Sequence, residues 1–422
     1  MFCCGRILKL PLQNKINLQV LFMKFLKRLL KFFVILIGSF AGILLLFYFM
    51  APVYQFSGPV PFKGEKLYNP YEGMDSTHWR KYNFQVQSHV WGGITNGRKN
   101  SNRLIDSVYK VLGYDYVATS DYQSINYHGK NSPRFIPTYE HGYNVFKTHQ
   151  VCIGSDEVLW VELFLFQSTG MKQWIIDKLR PHNQIVALAH PKLRNGYSFD
   201  DLKKITHYDL MEVLNNFRIS SARWDTALSA GQKVFILAND DAHDVMNPVE
   251  VGTRFTMINS PTTNKDDIIT ALKSGNAYGV DFKLTENETL AQKAAREKRL
   301  PLITGFTLNG DTITVSIERM VKTVRFIRQG GEVVKEINQN KAKYAVKPDD
   351  RYIRTEIDLE DGTRYYLNPV IRYSGDKPES KLTAKPDVTA TGWLRIFYFA
   401  VVATTFWYFT RKLPGKNHEK RV

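Results

Sequence analysis

Residues 32–51 read "FFVILIGSFAGILLLFYFMA", twenty consecutive positions without a charge. At about 1.5 Å rise per residue, a helix of that length covers roughly 30 Å, the thickness of a bilayer's hydrocarbon core. A chain carrying such a run must give it to a membrane or to an unusually apolar interior. Pro52, Val53 and Tyr54 follow, with no small-x-small cleavage site. The segment 32–51 therefore reads as an uncleaved signal anchor, and residues 1–31 as a basic cytoplasmic N-terminus. Within it, "MKFLKRLLK" offers Met23 as an alternative start. A second apolar run, "WLRIFYFAVVATTFWYF", falls in an expected transmembrane helix at 392–410, where Arg395 must snorkel to the interface. Positive residues flank the outer ends of both runs. The positive-inside rule then places both termini in the cytoplasm and the middle of the chain outside an inner (plasma) membrane.

Of the net charge of +17, residues 1–31 carry +7 and the basic tail, 411–422, carries +4. The basic balance is thus topogenic and lipid-facing, and nucleic acid is not favoured as a partner. Three cysteines, Cys3, Cys4 and Cys152, make no disulfide framework and no cysteine-based zinc pattern. Any metal must be held by histidines and carboxylates.

Between the two apolar runs the chain is organised in four parts. Residues 52–82, rich in Pro, Gly and Tyr, read as a tether. Over 83–300, apolar runs alternate with helical patterns. Strands are expected at 83–89, 114–120, 135–140, 149–154, 185–190, 209–215 and 233–240, with helices such as "NRLIDSVYKVLG", "MKQWIIDKLR", "SFDDLKKI" and "ARWDTALSAG" between them. Gly113 and Gly231 fall where helix C-caps belong. This alternation points to an α/β class with a parallel sheet, and seven strands point to a closed or nearly closed βα barrel. Over 301–374, short alternating strands such as "DTITVSIE" and "RYYLNPVIRY" read as a small antiparallel β-sandwich. Residues 375–391 are a polar linker.

Residues able to bind a metal fall at strand ends. His89, Glu140 and His190 end expected strands; Asp241 and His243 lie just past another; His149 opens one, and Asp121 follows one. Taken singly, each histidine is most often a surface or hydrogen-bonded core residue. Their joint placement at the rim of one barrel points instead to a metal site. Imidazoles with carboxylates suit Zn, Mn or Fe, one or two divalent ions in all. A serine or cysteine hydrolase is disfavoured, because Gly-x-Ser-x-Gly is absent and Cys152 is expected inside a strand. "RQGGEVV" lacks the Lys-Ser/Thr of a nucleotide-binding loop.

In order, "SHVWGGITNG", "YDYVATSDY", "IPTYE…THQVCIG", "IVALAHP" and "NDDAHD" resemble the PHP (polymerase and histidinol phosphatase) domain over about residues 83–280. The β segment after them is similar to the tail of that family's phosphoesterase branch. The resemblance implies a distorted seven-stranded βα barrel and a two- or three-metal site. It also implies hydrolysis of a phosphate ester by a metal-bound water. It carries His89, Glu140, His149, His190, Asp241 and His243 over as ligands, with Glu140 bridging. The sequence departs from the family at three positions: Trp91 stands in place of the second histidine of His-x-His, Asn96 in place of an aspartate, and Tyr122 in place of a histidine. Trp91 cannot ligate a cation.

Two functions follow as expectations. One is a membrane-anchored, extracytoplasmic metallophosphoesterase acting on a phosphorylated small molecule or surface substrate. In it, His243 or Asp121 moves the proton and Lys192, Arg194 and Arg254 bind substrate oxygens. The other is a catalytically degenerate PHP-like barrel that serves as a surface binding protein, with Trp91 and Tyr122 filling the places of lost ligands.

Overall fold

The computed structural model describes residues 12–95 and 97–412; Asn96, the first eleven residues and most of the basic tail lie outside it. The chain divides into two compact units at Ala51/Pro52. The first contains helix α1 (Leu12–Met50). The second opens with β1 (Tyr54–Phe56), β2 (Lys66–Tyr68) and β3 (Trp79–Asn83), followed by α2 (Asn102–Val111) and β4 (Tyr116–Val117). Next come β5 (Thr138–His141), β6 (Gln150–Ser155), α3 (Thr169–Leu179), β7 (Asn183–Leu188), α4 (Phe199–Leu202) and β8 (Leu210–Asn215). Then follow α5 (Ser221–Ala230), β9 (Phe235–Asn239), β10 (Arg254–Asn259), α6 (Lys265–Ser274), β11 (Ala277–Asp281) and α7 (Leu290–Glu297). The chain continues through β12 (Ile303–Asn309), β13 (Thr312–Ile317), β14 (Thr323–Arg328), β15 (Glu332–Ile337) and β16 (Lys341–Ala345). It ends with β17 (Tyr352–Asp358), β18 (Arg364–Tyr373), β19 (Ala384–Pro386) and α8 (Val388–Lys412). Two of these helices, over Val20–Met50 and Val388–Tyr408, are long and apolar enough to cross a membrane.

Local chemistry accounts for the helix ends. Ser101 and Ser168 accept the first free backbone N–H groups of α2 and α3, and Ser198 with Asp201 closes a capping box on α4. Gly231 ends α5 in the left-handed conformation (φ 96°), as its position after the helical pattern predicts. Gly113, also left-handed, follows the cap of α2.

The ladders do not close into one seven-stranded ring. They form a five-stranded sheet, β5-β6-β7-β8-β9, and a larger one, β15-β14-β17-β18-β11-β10-β3-β4, with β2 on the edge of β18. The isolated bridges Val86–Ala242 and Tyr122–Glu140 join the two. Nor are the strands uniformly parallel, since β5-β6 and β6-β7 pair antiparallel while β7-β8-β9 pair parallel. Eight residues join β5 to β6, too few for the dozen or more that a parallel crossover needs. The strand expected at 83–89 forms earlier, at Trp79–Asn83, and the chain then runs extended between Ser120 and Ala242.

β11 pairs with β18, so the larger sheet is continuous across residues 300/301. A three-stranded sheet, β12-β13-β16, packs on it through a shared cluster that includes Trp79, Tyr278, Phe306, Val315, Phe326 and Leu367, and β1 pairs with β19 in a separate two-stranded sheet. Two buried ion pairs staple the layers: Lys81 of β3 to Glu297 of α7, and Arg354 of β17 to Asp225 of α5.

Candidate metal centre

One end of the five-stranded sheet gathers the acids and histidines. Glu140 is the third residue of β5, opposite Val151 of β6. His149 precedes β6, and its carbonyl accepts from Ala189 N at 3.1 Å, which brings the residues after β7 beside it. His190 lies two residues past β7, and its N–H donates to Glu212 Oε2 of β8 at 2.7 Å. Asp241 lies two residues past β9. Sheet order thus converts five separate stretches of sequence into one cluster.

At its centre, Glu140 Oε1 is 2.6 Å from His149 Nδ1 and 3.3 Å from His190 Nε2. Gln87 Nε2 donates to the other oxygen, Oε2, at 2.8 Å. Glu140, His149 and His190 are all buried, and each offers a ligand atom within 4.8 Å of the others. Among the described residues this is the group of three or more metal-binding side chains so placed. His149 Nε2, His190 Nδ1 and Asp241 Oδ1 are buried and without a hydrogen-bond partner. Leaving such a group unsatisfied costs roughly 1–3 kcal/mol. His190 (φ 27°) and Asp241 (φ 51°) also hold left-handed backbone conformations, at on the order of 1–3 kcal/mol each. This cluster of histidines and carboxylate fits a divalent cation.

The electrostatics agree with that chemistry. Burial opposes ionisation of Glu140, but His149 and His190 outweigh it and hold its carboxyl below the ordinary range. Burial pulls His149 down to about 4. Burial also acts on His190, yet its hydrogen bond to Glu140 and the surrounding carboxylates push it up to about 9. Burial, together with the charge of Glu140, raises Asp241 to about 6. Glu212 rises to about 8 through burial, with Asp241 adding to the shift. Three buried carboxylates thus crowd one site, and positive charge there would relieve them.

The other expected residues are less central. His89 is exposed, with Nδ1 2.9 Å from the carbonyl of Arg98. His243 is half-buried; its Nδ1 lies 2.9 Å from the carbonyl of Asp241, and Phe217 packs edge-on at 5.9 Å. Asp121 is engaged on both oxygens, by Ser88 N and Ser88 Oγ at 2.7 Å each and by Asn126 at 3.1 Å. Lys192 and Arg194 are exposed on the loop after His190, and Arg194 donates to the carbonyl of Val145. Arg254 is tied to Asp281 at 2.7 Å, which commits its charge elsewhere.

Tyr122 stands beside the cluster, and Trp91 is bonded to Tyr122. The Tyr122 ring meets His149 edge-on at 5.5 Å, and burial with the charges of Glu140 and Asp241 raises its hydroxyl well above the ordinary value. Trp91 Nε1 donates to the Tyr122 carbonyl at 2.8 Å. Asn96 lies outside the described residues.

Sequence reasoning missed Glu212 and Asn215. Glu212 accepts from His190 N, Asn215 and Asn239; Asn215 also donates to Asp241 Oδ2 at 3.1 Å. The available signal was a single acid within the otherwise apolar strand "LMEVLN", since glutamate is almost never buried unless paired.

No protein-family model matches the chain, and no curated protein matches it. Among solved structures, the chain is similar to a two-domain protein from Bacteroides vulgatus described as containing a predicted PHP-like metal-dependent phosphoesterase. The identity is 12%, the TM-score 0.34, and the match covers 75% of this chain and 92% of that one.

Proposed function

We propose that the chain is a membrane-anchored, extracytoplasmic metal-dependent phosphoesterase. On this reading, residues 32–51 and 392–410 span the membrane, 83–300 carry the active site and 301–374 brace it. The observation that supports it most is the buried Glu140–His149–His190 cluster with unpartnered polar atoms around it.

Glu140, His149 and His190 hold a divalent ion, with Asp241 facing the same space. The ion, when bound, supplies Lewis-acid polarisation of a phosphoryl oxygen. Gln87 and the Glu212–Asn215 pair fix the ligands' orientation. His243 is the proton carrier: Nδ1–H donates to the Asp241 carbonyl, which leaves Nε2 to accept and return a proton. Lys192 and Arg194, on the loop next to His190, offset the phosphate's charge. Asp121 keeps the 88–89 segment in place through Ser88 instead of moving protons.

The degenerate-barrel reading draws on Tyr122, beside the cluster, and on Trp91, bonded to Tyr122. Turnover separates the two. Full-length protein in detergent, supplied with Mn or Zn, is expected to hydrolyse p-nitrophenyl phosphate or bis(p-nitrophenyl) phosphate. His149→Ala should lose that activity at least a hundredfold. Folded protein that turns over neither ester with either metal overturns the hydrolase and leaves the binding protein.

A further inference from the structure

The loops around the cluster present large apolar side chains to solvent. Trp91, Ile94, Tyr143, Val145, Phe146 and Trp160 are all exposed, Ile94 at 84% and Trp160 at 56%. They form one rim. The rings of Trp91 and Trp160 are 6.0 Å apart, edge to face, and Tyr143 Oη reaches the carbonyl of Trp160. Trp91 is bonded to Tyr122, whose ring touches His149. The rim is therefore continuous with the wall of the metal centre. Arg98, Lys192 and Arg194 are exposed among these loops. Contiguous exposed apolar surface of this kind marks a contact site. Tryptophan and tyrosine mixed with cations are the residues that settle at a lipid headgroup layer.

The same loop leads to the anchor. From Trp160 the chain runs to Ser168, which caps α3. Gly170 there faces Tyr54 of β1, since a Cβ built on it would lie 3.7 Å from the Tyr54 side chain, and Tyr54 Oη donates to Asp177 of α3 at 2.6 Å. Tyr54 pairs with Pro386 of β19, two residues before α8, and Val53 N donates to Thr391 within α8. Ten residues, a reach of at most about 35 Å, thus separate the exposed rim at Trp160 from Gly170, and Tyr54 links Gly170 across β1 and β19 to the start of α8.

We propose that this aromatic rim is a membrane-contact face, resting in the headgroup layer of the bilayer that α8 enters, so that the mouth of the metal centre opens onto the lipid surface. Together with the hydrolase reading above, on which this part rests, it makes the substrate a phosphoester carried by a lipid.

Intrinsic fluorescence tests the face independently of catalysis. Full-length Trp393→Phe/Trp407→Phe protein, reconstituted in phosphatidylcholine vesicles, keeps Trp91 and Trp160 as its exposed tryptophans, since Trp79, Trp174 and Trp224 are buried. Lipids brominated near the headgroup end of the acyl chain should reduce its emission relative to unbrominated vesicles. Adding Trp91→Phe and Trp160→Phe should abolish that loss. Equal emission in both vesicle types overturns the proposal and leaves the rim as a surface for a soluble partner. In the same vesicles, Trp91→Ala/Trp160→Ala should slow hydrolysis of phosphatidate at least tenfold while turnover of soluble p-nitrophenyl phosphate is retained. An equal effect on both esters overturns the lipid-borne substrate. If neither ester is turned over by the parent protein, the hydrolase reading fails while the quenching still decides the face.

Discussion

Gly142 lies between Glu140 and His149 in sequence and against His149 in space. Its φ of +126° belongs to a region that L side chains rarely adopt, and a Cβ built there meets His149 Cδ2 at 2.4 Å and Cγ at 2.9 Å. Ordinary contact begins at 3.4 Å, so in Gly142→Ala the imidazole must retreat by about 1 Å or the backbone must give. Overpacking a close-packed site costs about 1–3 kcal/mol, and the backbone strain adds on the order of 1–3 kcal/mol. A loss of roughly 2–6 kcal/mol in unfolding free energy is expected. The imidazole bonded to Glu140 at 2.6 Å cannot move by that distance and keep its place, so metal affinity should fall at least about tenfold, or ~1.4 kcal/mol. Gly129→Ala is the control: its φ is +75°, and nothing lies within 4 Å of the added Cβ. It should show the backbone cost alone, about 1 kcal/mol or somewhat more, with wild-type metal binding. Denaturant unfolding and calorimetric titration with Mn or Zn measure the two quantities. A Gly142→Ala protein that binds metal as wild type does would refute the assignment of His149 as a ligand.

Three further outcomes follow from buried polar groups. Glu212→Ala removes the acceptor of the His190 N–H and of Asn239, about 1–3 kcal/mol for each group left unpaired; it should weaken metal binding at least about tenfold, and Glu212→Gln, which retains an acceptor oxygen, should do so less. Arg354→Met removes the buried guanidinium that pairs Asp225 and Glu356 and should cost about 3–5 kcal/mol of stability without altering metal content, as thermal unfolding and elemental analysis would show. Burial pushes the Lys293 ammonium down to about 8. Between that value and the ordinary 10.5, the unfolded chain holds a proton that the folded chain has lost, so this group lets stability rise with pH from about 8. In Lys293→Met the rise between pH 8 and 10 should flatten in denaturant titrations.

Strands β7 and β9 are legible in the sequence because they are buried on both faces and carry unbroken apolar runs within "IVALAH" and "KVFILAND". β3 is not. Its Arg80 and Lys81 resemble surface residues, and Lys81 is buried only because Glu297, far along the chain, neutralises it. β10 and β11 escaped notice as well, since their half-polar sequences make sense only once β3 and β18 flank them. Pairing across residues 300/301 depends in the same way on contacts between distant segments, which residue pattern does not encode. For the centre itself, strand ends pointed to Glu140, His149 and His190, while Glu212 stayed hidden because its partners, the His190 N–H just past β7 and the side chains of Asn215 and Asn239, are brought to it only by the fold. Asp121 looked like a base, yet its two oxygens are spent on Ser88 and Asn126.

The most direct measurement is metal stoichiometry by elemental analysis of the full-length protein, purified in detergent without chelator and then exposed to Mn or Zn. Wild type should carry at least one equivalent of divalent ion. Glu140→Gln, which leaves an amide where the shared carboxylate of His149 and His190 stood, should carry almost none while unfolding as a single folded protein does. Wild-type protein that holds no metal after loading, or a Glu140→Gln protein that holds as much as wild type, would contradict the metal centre and the hydrolase built on it.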